Sequence, residues 1–386
     1  MTRHYLDHNA TAPMRPEALE ALTAALSITG NASSVHAEGR AARATLETAR
    51  EEVRALAGAP VGGVVFTSGG TEAIHAGIRG LVNDGENSKK LTKIFVSSVE
   101  HAAVFSAAEA TGLPVEKIPV DHHGVVDLDW LNKSLADYTA GGDLSDETVL
   151  VAVMLANNET GVIQPITEVA DIVHSAGGLL LVDAVQAIGK IPLNFSMLGA
   201  DLMAISAHKF GGPIGVGALI TQPNLPIAPL MGGGGQEQNR RAGTHNVPAI
   251  AGFGKAALAA RNDLRQIDRI SKVRNSAERV VKNLGATVFG EGVDRLPGAL
   301  CFSAPGFSSE TQLMSLDLAG VAASAGSACS SGKSSPSHVL TAMGVDRDAA
   351  RSSLRVSFGW SSTDDDAQAF CDAWSEAYTR IKSRAA

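Results

Sequence analysis

ADLMAISAHKF, residues 200–210, sets an apolar run against a lysine at its end. The run ADLMAI reads as a buried strand bounded by small residues, and FGGPIGVGALI beyond it reads as a turn into another strand. Lys209 therefore stands at a strand mouth beside glycines that let other groups approach the backbone, not on a polar helix face. From the residue alone two readings are open: a lysine stretching to solvent, or a reactive amine. Further strand candidates precede it, GVVFTS, KIFVSS, VLVAVMLAN and GLLLVDAV, separated by amphipathic stretches between about residues 62 and 220. That alternation predicts an α/β fold with a mainly parallel sheet and helices on both faces, and such sheets bind ligands at their strands' carboxyl ends. Polar residues cluster there: Thr71, Glu100 with His101, Asn157 with Asn158, Asp183, and His208 with Lys209.

The chain has 386 residues, 45% of them hydrophobic and 19% charged, with a net charge of -8, so two structural units are expected and a polyanion is not the expected main ligand. Neither MTRHYLDHNATAP at the start nor VLVAVMLA, the longest apolar run, has the pattern of a signal peptide or a membrane span, and a soluble, cytoplasmic protein is expected. Cys301, Cys329 and Cys371 are odd in number and lack CxxC spacing, which argues against a disulfide framework or a zinc knuckle. After MGGGGQ the pattern changes: one long helix is expected from about Asn246 to Lys282, ending at Gly285, followed by a smaller α+β C-terminal domain. Thr363 and Asp366 have capping-box spacing at the start of its last helix.

A lysine that forms a Schiff base needs cationic neighbours or partial desolvation to be neutral part of the time. If its partner is pyridoxal phosphate, the site also needs an acid facing the ring nitrogen and an anion site. Asp183, an acid in an otherwise apolar strand, suits the first, with a satisfied core carboxylate as the plainer alternative. SGGTEAIHAG, with Gly70 and Thr71 at a helix opening, suits the second, although a simple N-cap would look the same.

TSGGTEA, VEHAAV, ANNETGV, VDAVQAIGK, SAHKFGGPIGVG, RRAGTHN, GSACSSG and SSLRVSFG, in this order, resemble the motif series of cysteine desulfurases of the nitrogen-fixation and housekeeping type. YLDHNATAP and GNASSVH near the start match as well. These are class V aminotransferases of the fold-type I pyridoxal 5'-phosphate architecture. The resemblance implies a large cofactor-binding domain over residues 16–257, and a small domain of residues 1–15 and 258–386 carrying Arg355 and the Cys329 loop. It implies that Lys209 holds the cofactor, Asp183 faces its ring nitrogen, Gln186 its phenolic oxygen, and His101 stacks on the ring. Gly70, Thr71, Ser206 and His208 would hold the phosphate, with Thr244 reaching the phosphate of the partner subunit in a homodimer. Asn158 would lie near the ring oxygen and substrate, with Arg355 and Asn31 also binding substrate.

GSACSSGKSSPSHV surrounds Cys329 with small polar residues, whereas Cys301 alternates like a strand residue and Cys371 lies in a helical pattern, both as buried hydrophobes. The resemblance implies that Cys329, as thiolate, takes the sulfur of L-cysteine as a persulfide and leaves L-alanine, with Lys209 moving the Cα proton and His101 serving the substrate thiol. An iron–sulfur scaffold or a tRNA-thiolation enzyme would accept the sulfur. Two departures stand out: Ala207 where the family has glycine, and only 31 residues after Arg355, short for the housekeeping type, whose extension docks the scaffold. Selenocysteine lysis or transamination is the rival within the class. A dinucleotide-binding oxidoreductase lacks its G-x-G-x-x-G, and a silent sulfur carrier would not need Lys209, Asp183 and Arg355.

Overall fold

The computed structural model of the chain describes residues 2–82, 89–140, 146–325 and 336–385, so Cys329 lies outside the described residues. Successive residues of the apolar runs feed opposite sides of one sheet. Leu180, Val182, Val151, Val153, Met203 and Ile205 enter one hydrophobic cluster, while Leu181, Leu150, Ala152, Leu202 and Ala204 enter another. Two-residue periodicity with both faces apolar is what a parallel sheet covered on both sides requires. The sheet has seven strands, in the order Val64–Thr67, Gly217–Thr221, Leu202–Ser206, Leu179–Asp183, Glu147–Met154, Lys90–Ser97 and Val115–Ile118. Only Gly217–Thr221 runs antiparallel to its neighbours. The carboxyl ends of the other strands therefore share one edge, and Asp183 pairs with Ala204 on the strand leading to Lys209.

A second, antiparallel sheet has the order Ser324–Ala325, Ser353–Ser357, Ala299–Ser303 and Thr287–Val288. It shares a separate cluster with the helices Ile267–Asn283 and Asp364–Ala385. Cys301 sits in its Ala299–Ser303 strand and Cys371 on the last helix, both buried, as expected. Thr363 N–H donates to Asp366 Oδ2 (2.8 Å) and Asp366 N–H to Thr363 Oγ1 (3.3 Å), the reciprocal box that opens this helix.

The long helix expected from Asn246 is in fact two, Val247–Asp263 and Ile267–Asn283, joined by a 3-10 turn at Leu264–Gln266. No glycine or proline marks the break. Ile250, Phe253 and Ala257 pack with the large sheet, whereas Val273, Ala277 and Val281 pack with the small one, so the chain changes partner between them.

Trp374 is fully buried in the second cluster, edge-on to Phe302 with ring centroids 5.2 Å apart, and its indole N–H donates to Gln312 Oε1 (2.9 Å). Trp374→Ala should cost roughly 3–5 kcal/mol through cavity formation, and Trp374→Phe about 1–3 kcal/mol because Gln312 loses its donor. Denaturant midpoints in that order, with Trp374→Ala lowest, are the expected result.

Candidate active site

A cavity of about 340 Å³ opens at the shared strand edge, lined by ten of the residues singled out above: Gly70, Thr71, His101, Asn158, Asp183, Gln186, Ser206, His208, Lys209 and Arg355. It is large enough for a small organic cofactor. Lys209 lies in a one-turn 3-10 helix, Ala207–Phe210, directly after Leu202–Ser206, and its Nζ donates to the carbonyls of Asn9 and Ala10, both at 2.8 Å. Ala207, the departure from the family pattern, is fully buried in the core cluster and outside the cavity lining, so its methyl is accommodated away from the site.

Asp183 ends Leu179–Asp183, and its Oδ1 accepts from Val185 N–H (2.9 Å). Burial pushes its carboxyl up, opposed by that hydrogen bond and by His101 and Lys209 nearby. His101 caps the helix Ala102–Glu109, with Nδ1 accepting from Ala103 N–H (3.1 Å), which leaves the neutral ring's proton on Nε2. Burial lowers its proton affinity, Asp183 opposes this, and Lys209 and His338 lower it further. Glu100, next to it, is fully buried and pushed well up by burial and then by Asp183.

Gly70 begins the helix Gly70–Val82, whose first backbone N–H groups are free for an anion. A side chain at Gly70 would lie 2.8 Å from Val185 Cγ2, so close packing demands glycine here. His208 Nδ1 meets Thr11 Oγ1 at 3.1 Å, and burial, then Lys209 and Lys190, lower its pKa to about 4. Asn157 shapes the loop beside it: its Oδ1 accepts from the N–H groups of Glu159 and Thr160, both at 2.9 Å, presenting Asn158 to the cavity. Arg355, from Ser353–Ser357, donates to the Asn158 carbonyl (2.9 Å) and to Asp7 Oδ1 (2.7 Å). It is thus both an ion-paired strand arginine and a wall of the cavity.

The structure does not bring Asn31 or Thr244 to this cavity; both are exposed, and Asn31 Oδ1 accepts from Ser33 N–H (2.9 Å). Conversely, Asn9 and Ala10 line it without having been singled out, although they stand in the motif YLDHNATAP.

The residues fit pyridoxal phosphate. A buried carboxylate, an amine and a glycine-opened helix N-terminus surround one cavity, which is the donor set that cofactor requires. The chain belongs to the class-V aminotransferase family, whose model matches residues 4–370, and these are pyridoxal phosphate enzymes. It is 41% identical to a protein named cysteine desulfurase IscS of Dictyoglomus turgidum, covering 94% of this chain and 91% of that one. Identity to an IscS-like cysteine desulfurase of Mycobacterium tuberculosis is 38%, over 99% and 98%. Among solved structures, a NifS-like protein from Rickettsia africae superposes with a TM-score of 0.88 at 33% identity, covering 98% of this chain and 99% of that one.

Glu159, behind Asn158, is buried and accepts from Ser337 Oγ. Burial raises its pKa from 4.5 to about 7, against the pull of Ser337 and Arg355. Between these values the unfolded chain releases a proton that the folded chain keeps, so this group's contribution to stability falls as pH rises. The loss is complete above pH 7 and on the order of 3 kcal/mol. His8 and His208, with pKa values lowered to about 3 and about 4, act oppositely: the unfolded chain binds their protons first as pH falls below about 6.5. Glu159→Gln isolates the carboxyl. Relative to the parent, it should be stabilised at pH 8 and nearly unchanged at pH 4.5, read from unfolding midpoints. An equal difference at both values would contradict a neutral Glu159.

Proposed function

We propose that the chain is a cytoplasmic, homodimeric cysteine desulfurase, converting L-cysteine to L-alanine and passing the sulfur to Cys329 for iron–sulfur cluster assembly or another sulfur-transfer route. The observation that carries this reading is the convergence of Lys209, Asp183, His101, Gly70 and Arg355 on one cavity. The names of the relatives described above agree with it. No helix among the described residues is long and apolar enough to cross a membrane. Exposed Thr244 is available to a second subunit, and the separate hydrophobic clusters of the large and small sheets support a large and a small unit.

When bound, pyridoxal phosphate supplies an electron-accepting ring for the charge released at the substrate Cα. Asp183 keeps the ring nitrogen protonated from its buried position. Gly70, Thr71, Ser206 and His208 hold the phosphate, and Gln186 turns an amide toward the ring oxygen. Arg355 binds the substrate carboxylate with its planar fork, and Asn158 closes that side. Lys209 removes the Cα proton, which it can do only as a neutral amine. His101, with a lowered proton affinity, takes the proton of the substrate thiol. Cys329, as thiolate, then attacks the substrate sulfur. A sulfur–sulfur bond forms, the Cβ–S bond breaks, and its electron pair stays with the carbon fragment, which gains protons to become alanine.

Burial raises the proton affinity of the Cys301 thiol, and that of Cys371 to about 11, so neither supplies a thiolate readily near neutrality. After one turnover without reductant, mass spectrometry should find the added sulfur on the peptide containing Cys329. Cys329→Ser should keep the absorbance change on adding L-cysteine yet make neither alanine nor persulfide, because a hydroxyl is a far weaker nucleophile toward sulfur. Lys209→Ala should fold and make no alanine. Sulfur on Cys301 or Cys371, or alanine from either variant at the parental rate, would overturn the proposal.

A further inference from the structure

A second amine stands beside Lys209. Lys190 lies on the turn after Leu179–Asp183, and its Nζ donates to Gln186 Oε1 (2.8 Å) and Asn9 Oδ1 (2.9 Å). The carbonyl of the same Asn9 accepts from Lys209 Nζ (2.8 Å) and Gln186 Nε2 (2.9 Å). One asparagine thus carries both amines, Lys190 on its side chain and Lys209 on its main chain.

Two consequences follow from these contacts. A carbonyl only accepts, so the end of the Gln186 amide that meets the Asn9 carbonyl must be its NH₂, and its oxygen is the end that accepts from Lys190 Nζ, both Gln186 and Asn9 lining the cavity. The second consequence is electrostatic. The groups coupled electrostatically to the two amines come from several elements: Asp183 and His101 to Lys209, Arg355, Asp7 and His8 to Lys190, and His208 to both. Burial lowers the proton affinity of Lys190, Lys209 and Arg355 lower it further, and Asp7 opposes them. Repulsion between two amines is mutual, so a proton on either disfavours one on the other.

We infer that Lys190 is a positioning residue: by holding the Gln186 amide oxygen it fixes the amide with its NH₂ end on the Asn9 carbonyl at the cavity wall, and it keeps positive charge off Lys209, leaving that amine available as nucleophile and base. This rests on the reading of Lys209 as the cofactor lysine. If Lys190 merely tied the turn to residue 9, its loss would lower stability without altering how Lys209 titrates.

The test uses the cofactor-free full chain. Pyridoxal phosphate followed by borohydride identifies the reactive lysine in the parent; formaldehyde with cyanoborohydride then reports the nucleophilicity of Lys209 against pH, read on its peptide by mass spectrometry. In Lys190→Met the pH of half-maximal Lys209 labelling should rise by about one unit, which is about a tenfold slower labelling below the midpoint. Lys190→Arg, which retains positive charge, should label at or below the parental midpoint. Lys190→Gln, also neutral, should follow Lys190→Met and serves if the methionine variant does not fold. A neutral variant that folds, by circular dichroism, and superposes on the parental profile overturns the inference, as does an arginine variant that shifts as far as the neutral one. A pyridoxyl group on another lysine in the parent overturns instead the reading of Lys209, and on Lys190 it overturns both.

Discussion

Asn9 is the point on which the two sheets and the site converge. Its N–H donates to Ser357 Oγ (2.9 Å), its side-chain amide to the Asn158 carbonyl (3.3 Å), its Oδ1 accepts from Lys190, and its carbonyl accepts from Gln186 and Lys209. The flanking backbone is tied to the smaller sheet where Ser357 N–H donates to the Leu6 carbonyl (2.8 Å), while His4–Tyr5 pairs in parallel with Val321–Ala322 in a separate two-stranded sheet. Residues 4–10 therefore act as a splint, bonded to Ser357 of the small sheet on one side and to the amines of the large one on the other. Each bond contributes about 1 kcal/mol net, but leaving buried partners unpaired costs about 1–3 kcal/mol each, so the contacts hold as a group. His8 shows how tight the splint is: a side chain at Gly359 would lie 2.1 Å from its Nδ1.

The charges around this splint are tolerable only because several groups depart from their ordinary ionisation. Burial keeps His8 neutral, with a pKa lowered to about 3, and burial and the nearby amines do the same to His208. Glu100 is likewise pushed well up by burial and by Asp183, and Asp183 is the carboxyl that lines the cavity. A second ionised carboxylate there would raise the proton affinity of Asp183 further. The polar site is thus one of few charges and many dipoles. Its pattern of neutral imidazoles and acids is set by the same burial that packs the strands.

Much of this was legible in the sequence because parallel strands buried on both faces leave continuous apolar runs, and their ends mark a common edge. Lys209, Asp183, Asn158 and His101 each follow such a run, and register then brings neighbouring ends together. Asp7, Asn9 and Lys190 were not legible, because their roles come from contacts between distant parts of the chain; Lys190 meets Asn9 across 181 positions. The break at Leu264–Gln266 was hidden for a related reason, since its residues suit a helix and only the change of packing partner ends it. Asn31 and Thr244 came from the resemblance alone, and the cavity of a single chain does not include them.

Arg355 carries the last step of this logic. It is almost wholly buried, and Asp7 supplies a built-in counter-charge while the Asn158 carbonyl takes a second donor. An unpaired guanidinium at this depth would be costly, so the pair keeps the fork in place and its plane fixed. It also sets a condition on any carboxylate that approaches, which must share the guanidinium with Asp7 and meets Asp7 as a like charge. Lys190 lies within the field of both Arg355 and Asp7, so the added anion is offset by a nearby amine that then holds its proton more firmly. A carboxylate bound at Arg355 would in this way be coupled to the protonation of the two amines, and Asn9, bonded to both amines and to the Asn158 carbonyl that Arg355 also meets, is the residue through which the parts are joined.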